Sequence, residues 1–263
     1  MDYILICTVS LLVAALTFFS GFGLGTLLLP AFTIFFPVEI SVAATAIVHL
    51  LNNLFKLILV GKNADKSILV KFGIAAAVFS ILGAISLNYL AEIKTSYIVE
   101  LSGFEIVLTP VKVLIGVLMI IFALFELLPK LKNLNFDKKY LVYGGALSGF
   151  FGGLSGHQGA LRTAFLIRLN LSKEVLIGTM VATAVIIDIS RISVYGLSFF
   201  QEHFIVASEN YRLAGLVIAG TLSAFVGTLL GNKLLKKITI ESIQLIVAVM
   251  LILLGVALIL GVI

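Results

Sequence analysis

The sequence predicts an all-α polytopic membrane protein built as two inverted repeats, each a broken helical hairpin followed by three transmembrane helices. Hydrophobic residues make up 61% of the chain and charged ones 12%, about half the charged share of an ordinary soluble domain. A water-soluble fold cannot bury that much apolar surface. The surface is also gathered into stretches such as 68–91, 175–199 and 240–263, each with the roughly twenty residues that cross about 30 Å of hydrocarbon as a helix. Finally, a Gly-rich segment followed by an Ala-Thr-Ala triplet occurs in both halves, first at Ser20 to Gly25 with Ala44-Thr45-Ala46, then at Gly152 to Gly159 with Ala182-Thr183-Ala184. Ordered recurrence of this kind marks an internal duplication.

The first repeat occupies residues 1–129. Residues 1–36 read as a hairpin whose outgoing arm, Ile4 to Phe19, lacks a basic leader and an Ala-x-Ala cleavage site and is expected to stay in the protein. Its break falls at Ser20 to Gly25 and its returning arm ends before Pro37. Spans follow at 41–60, 68–91 and 111–129, and residues 130–139 are a Lys-rich linker. The second repeat occupies 140–263, with a hairpin at 140–170 broken at Gly152 to Gly159, then spans at 175–199, 212–235 and 240–263. Gly83 to Asn88 resembles Gly227 to Asn232 at the matching place in each half. Non-helical glycine backbone at membrane depth is tolerated only when protein or a water-filled cavity surrounds it, so both breaks are expected to face the interior.

Charge placement sets the orientation, because short cytoplasmic loops collect Lys and Arg. Lys62, Lys66 and Lys71, Lys130, Lys132, Lys138 and Lys139, Arg168 and Lys173, and Lys233, Lys236 and Lys237 fall in one group of segments. Asp2, Glu39, Glu92, Glu100, Glu105, Glu202 and Glu209 fall in the other, with Lys94, Lys112 and Arg212 as its bases. The first group is placed in the cytoplasm of a plasma-membrane protein with both termini outside. Each repeat then crosses an odd number of times, which inverts the second copy, as in many secondary transporters. The net charge of +5 is thus a topology signal, and no nucleic-acid motif accompanies it. Cys7 is the one cysteine, which excludes an internal disulfide.

Ionisable groups far from a span end are functional candidates by default. They are His49, Lys56, Arg162, Asp188 and Arg191, with His157 and Gln158 at the second break. Arg162 starts the returning arm beyond Gly159, where a guanidinium can hold an oxyanion by two parallel bonds and a helix N-terminus adds N–H donors. Substrate-binding candidates are therefore Ser20, Gly21, Gly23, Gly25, Thr45, Asn52, Ser155, Gly156, His157, Gln158, Gly159, Arg162 and Thr183. Proton coupling or internal ion pairing falls to His157, His49, Asp188 and Arg191, with His157 placed first because imidazole changes charge near neutrality. Asp188 and Arg191, spaced i, i+3, share a helix face and can neutralise each other; Arg162 has the alternative of pairing with Asp188.

The run from Ser20 to Pro30 with Ala44-Thr45-Ala46, and the second-half run Gly149-Phe150-Phe151-Gly152-Gly153-Leu154-Ser155-Gly156, resemble the TauE/SafE sulfite exporter family, also called the 4-toluene sulfonate uptake permease family. The resemblance covers the whole length in two related halves. It implies transport of sulfite, a sulfonate such as sulfoacetate or a related anion, coupled to an ion gradient. The chain departs from the family pattern at His157-Gln158-Gly159-Ala160-Leu161-Arg162, where many members continue with glycines and an apolar run.

A different class, the intramembrane serine protease, is raised by Gly153-Leu154-Ser155-Gly156, a G-x-S-G pattern. Its serine needs a histidine in hydrogen-bond reach. His157 lies only two residues on, His203 falls in an outer loop, and His49 is the geometrically open choice. The Ser-Gly pair recurs at Ser20-Gly21, which duplication explains and catalysis does not, so the chain reads as a non-enzyme. An anion channel or a scaffold is the remaining alternative. No Walker-type loop, cofactor site or metal site is read from the sequence. The expected partners are a small anion and the lipid bilayer, with a second copy of the chain kept as a candidate and no nucleic acid.

Overall fold

A computed structural model gives the fold, and it describes residues 1–17, 24–93, 97–101, 104–128, 136–167, 169–203, 207–234 and 240–262. The protein is helical: α1 Asp2–Leu16, α2 Leu24–Thr33, α3 Val38–Val60, α4 Lys66–Glu92, α5 Pro110–Leu127, α6 Leu141–Ser155, α7 Gly159–Leu166, α8 Lys173–His203, α9 Ala207–Leu234 and α10 Ile240–Ile259. Among the described residues, four helices are long and apolar enough to cross a membrane, over Val38–Asn63, Lys66–Glu92, Lys173–Gly196 and Tyr211–Gly231. Pro37 precedes α3 and Pro110 opens α5. These are places where a missing N–H and a fixed φ suit a helix start.

A short departure from helix lies between α4 and α5. Strands β1 Tyr97–Leu101 and β2 Phe104–Leu108 pair antiparallel, with Tyr97 opposite Leu108 and Leu101 opposite Phe104. β-branched and aromatic residues on both sides of Ser102-Gly103 carry the ordinary signature of such a hairpin.

Helix packing is set by small residues that let backbones approach, the usual device where lipid provides no hydrophobic drive. α6 runs parallel to α4, with Gly145, Gly149 and Gly153 set against Phe72, Ala76 and Ser80 in that order. A methyl group on Gly153 would overlap the Ser80 carbonyl. α1 runs parallel to α9 in the same manner, and a methyl on Gly227 would overlap the Leu11 carbonyl. α3 and α8 are antiparallel, His49 meeting Asp188 near mid-helix while Val60 meets Gly178. α5 and α10 cross where Gly116 approaches Gly255 and Ile259. The core lies where these pairs meet, around Leu28, Phe32, Val48, Ile115, Met119 and Leu216.

Candidate functional site

The segment after α5 turns back on itself. α6 ends at Ser155, Gly156 takes a left-handed conformation with φ 80°, and α7 begins at Gly159. Gly144 meets Phe165 and Gly152 meets Gln158, so the two arms are antiparallel. Only glycine adopts that φ without a Cβ penalty, and it closes the helix by donating its N–H to the Gly152 carbonyl at 3.0 Å. Ser148 Oγ donates to the Gln158 carbonyl at 2.9 Å, which ties the break to the outgoing arm.

The two poles of this break are treated differently. The carbonyls at the end of α6 receive donors from α8: Arg191 Nη1 to Gly152 O at 3.2 Å, and Tyr195 Oη to Gly153 O. The opening turn of α7 has no side-chain cap, so the N–H groups of Gly159, Ala160 and Leu161 lack intrahelical acceptors by position. A helix start in that condition is a positive pole suited to an anion.

Around the break lies a buried polar network with Asp188 at its centre. Asp188 is the one carboxylate among the buried charged residues described, which also include Lys56, Arg162 and Arg191. Its Oδ2 lies 2.6 Å from His49 Nδ1 and accepts from Asn53 Nδ2 at 3.5 Å. Its Oδ1 accepts from Gln158 Nε2 at 2.9 Å and from Arg191 Nε and Nη2 at 3.0 and 2.8 Å. Gln158 then accepts from Arg162 Nη1 at 3.0 Å. One amide therefore links the guanidinium of α7 to the carboxylate of α8. If neutral His49 carries its proton on Nδ1, facing Asp188, its Nε2 is left to accept from Asn53 Nδ2 at 3.2 Å, so both ring nitrogens meet partners of the right kind.

The first half of the protein reaches this network through α2 and α3. A Cβ on Gly25, in the first turn of α2, would sit 3.4 Å from the His49 ring and 3.7 Å from the Gly156 carbonyl. That closeness brings the start of α2 against the second break. Ser20, Gly21 and Gly23 lie outside the described residues. On α3, Thr45, His49, Asn52, Asn53 and Lys56 are all buried. Asn52 Oδ1 accepts from Thr228 at 2.8 Å, turning it toward α9. Thr183 spends its hydroxyl proton on the Thr179 carbonyl at 2.7 Å within α8. Thr45 Oγ1, Asn52 Nδ2 and His157 Nε2, buried polar atoms of the expected site, have no hydrogen-bond partner among the described residues. Such atoms are rare in a folded interior and ask for an explanation.

His157 stands apart from the Asp188 network. Its Nδ1 lies 3.0 Å from Ser155 Oγ and its ring stacks on Phe122 of α5, centroids 5.3 Å apart and planes 6° from parallel. The Ser155–His157 contact is the nearest thing to a nucleophile–base pair. Ser155 Oγ, however, donates to the Phe151 carbonyl at 3.0 Å, so the imidazole meets it as a donor. A general base has to accept that proton.

The sequence singles out His49, Gln158, Arg162, Asp188 and Arg191 of the Asp188 network, but not Asn53 and not the wiring. Its spacing pairs Asp188 with Arg191 and leaves His49 separate, because 139 residues of sequence divide His49 from Asp188. Phe122 was missed outright; a phenylalanine in an apolar span carries no signal that it will face a histidine.

A model of the family described as sulfite exporter TauE/SafE matches residues 6–258 of the chain. No curated protein and no solved structure matches it.

Proposed function

The chain belongs to the TauE/SafE sulfite exporter family, whose members are membrane transporters of the anion-exporter type, and from that membership we propose that it carries sulfite or a small sulfonate such as sulfoacetate out across the plasma membrane on an ion gradient. The observation that carries the reading is the uncapped start of α7 with Arg162 buried in its first turn, met by Gly25 and His49 across the Gly156 break. The anion is held by N–H groups near Gly156, Gly159 and the Ser20 to Gly25 segment, by Arg162 and by the Thr45 hydroxyl, whose Oγ1 has no partner among the described residues, with His157 lining the site beside them. Asn52, Ser155, Gln158 and Thr183 complete the lining.

The plan of two inverted repeats, 1–129 and 140–263 joined by 130–139, is supported by the packing. A pseudo-twofold that exchanges α1 with α6 and α4 with α9 turns the parallel α1–α9 pair into the parallel α6–α4 pair. It also maps the α3–α8 and α5–α10 contacts onto themselves. This is the arrangement by which transporters place two broken elements at the midplane.

The test is anion binding by the purified protein, read as thermal stabilisation by sulfite, thiosulfate, sulfoacetate or methanesulfonate, since a ligand bound only by the folded state raises its apparent stability. Arg162→Ala is expected to weaken binding roughly ten- to a hundredfold, the worth of about 1.5–3 kcal/mol for hydrogen bonds to a charged group. Unchanged affinity in a folded Arg162→Ala protein makes Arg162 structural. For topology, a cysteine at position 132 in a Cys7→Ser background is expected to react only from the cytoplasmic side. Labelling from outside reverses the orientation.

A further inference from the structure

We infer that the Asp188 carboxylate is a tethered occupant of the anion site, and that the His49–Asp188 pair takes up the proton whose arrival lets a substrate anion replace it. This deepens the anion-transport reading above and rests on it.

The surroundings of Asp188 are those of an oxyanion site. Arg191, Gln158, Asn53 and His49 converge on its two oxygens from α8, the break and α3, most of them at 2.6–3.0 Å. These are the distances of charge-assisted bonds. A sulfonate or sulfite presents the same kind of oxygens and asks for the same donors. The network also lies beside the features that draw an anion inward, since Gln158, which donates to Asp188, is held in turn by Arg162. Two anions cannot share these donors in a low-dielectric interior, where like charges repel strongly.

One proton resolves the conflict. The 2.6 Å separation of His49 Nδ1 and Asp188 Oδ2 makes the two groups a single proton-binding unit. A proton added to the pair, at Asp188 Oδ2 or at His49 Nε2, takes its charge from −1 to zero and leaves Arg191 and Gln158 facing no net negative charge. The ionisable and polar groups that face the pair are Asn53 from α3, Gln158 from the break, Arg162 from α7, and Arg191 and Tyr195 from α8, while Lys56 of α3 lies beyond them beside Arg162; α2 contributes Gly25. Every cation among them favours keeping a negative charge at the centre. The charge is therefore supplied either by Asp188 or by the substrate, and the exchange takes one proton from water on the side where the anion enters. Binding of anion and proton is then mutually favourable, and by reciprocity each raises the affinity for the other. His157 lacks this arrangement, because its contacts are Ser155 and Phe122.

The experiment is calorimetric titration of the full-length protein in lipid nanodiscs with methanesulfonate, an anion that does not itself titrate between pH 5 and 8. It is repeated in buffers of different ionisation enthalpy so that protons taken up are counted. The wild-type protein is expected to take up about one proton per anion, with affinity rising toward roughly tenfold per pH unit as pH falls through the responsive window. Asp188→Asn is expected to bind without proton uptake and with a flat pH profile, at least as tightly at pH 8 as wild type at pH 5. His49→Gln shifts the responsive window while preserving a carboxylate, which keeps the question decidable if Asp188→Asn does not fold. His157→Gln is expected to lose affinity and keep the proton stoichiometry. Anion binding with no proton uptake in the wild type, a wild-type profile in His49→Gln, or uptake persisting in Asp188→Asn overturns the inference and leaves the anion site standing. No binding of any of the four anions at any pH removes both.

Discussion

Where α6 lies on α4 and where α1 lies on α9, glycine brings two parallel backbones into contact, through Gly153 on Ser80 in one seam and Gly227 on Leu11 in the other. The side chains beside these seams differ. The first adjoins Asp188, Arg191, Gln158 and Arg162, all 1% exposed or less. Beside the second are Ser10, Asn52, Thr221 and Thr228, buried and neutral, joined by the Thr228–Asn52 hydrogen bond. The scaffold is alike in both seams and the charge is confined to one. Close packing depends on shape and survives duplication in both copies. A buried charge must be matched by partners wherever it occurs, so one charged site serves better than two.

The contrast is broken most forcefully at Asp188. Replacing it with alanine strands Arg191 and Gln158 in the interior, and removing one partner of a buried ion pair typically costs about 3–5 kcal/mol. Asp188→Ala is expected to lose folded protein in detergent, with partial rescue by a bound anion that restores the missing charge. The repeat alignment of Thr45 with Thr183 puts Leu50 in the corresponding place of the first half, where it is only half-buried. Leu50→Ala is expected to cost a small fraction of that. Equal losses, measured by chromatographic monodispersity and thermal unfolding, sink the idea that the buried ion pair serves one seam alone.

The shared packing is tested by overfilling each seam. Gly153→Val and Gly227→Val both push a side chain into a neighbouring backbone carbonyl, and overpacking typically costs about 1–3 kcal/mol. Similar losses of thermal stability are expected from the two. A tolerated Gly227→Val beside a damaging Gly153→Val means that the seams are not equivalent.

How far the sequence reveals this protein depends on whether a feature is local. The membrane character follows from composition, and the break at Gly156 from the Gly-rich run Gly152 to Gly159, of which Gly153 serves the seam with α4 and Gly156 the turn. The Asp188–Arg191 pair follows from i, i+3 spacing. The β1–β2 hairpin had a readable signal in Ser102-Gly103 between β-branched runs, but span-scale reading passes over a feature so short. The His49–Asp188 contact, the Gln158 relay and the stacking of His157 on Phe122 depend on which faces of distant helices meet. That is set by the glycine seams together, and no single stretch of sequence encodes it.

The smallest expected effect lies at the rim of the neutral seam. Arg212 of α9 donates from Nε to Asp2 Oδ2 of α1 at 2.8 Å, closing the seam at its exposed end, whereas α6 has no charged residue to offer α4 in return. The hydrogen bond from Arg212, aided by the Tyr3 amide, holds the Asp2 carboxyl below its usual range. A carboxyl with a depressed folded pKa stabilises the fold fully above its unfolded value, about 3.9, and that contribution disappears as pH falls through the lower folded value. Asp2→Asn should therefore differ slightly from wild type in thermal midpoint at pH 6 to 8, and the difference should close on acidification below about pH 4. Added salt should also shrink it, because an exposed pair is screened. A difference that grows as pH falls, or ignores salt, would show that Asp2 acts through packing of the α1 end and that the rim pair contributes nothing as a pair.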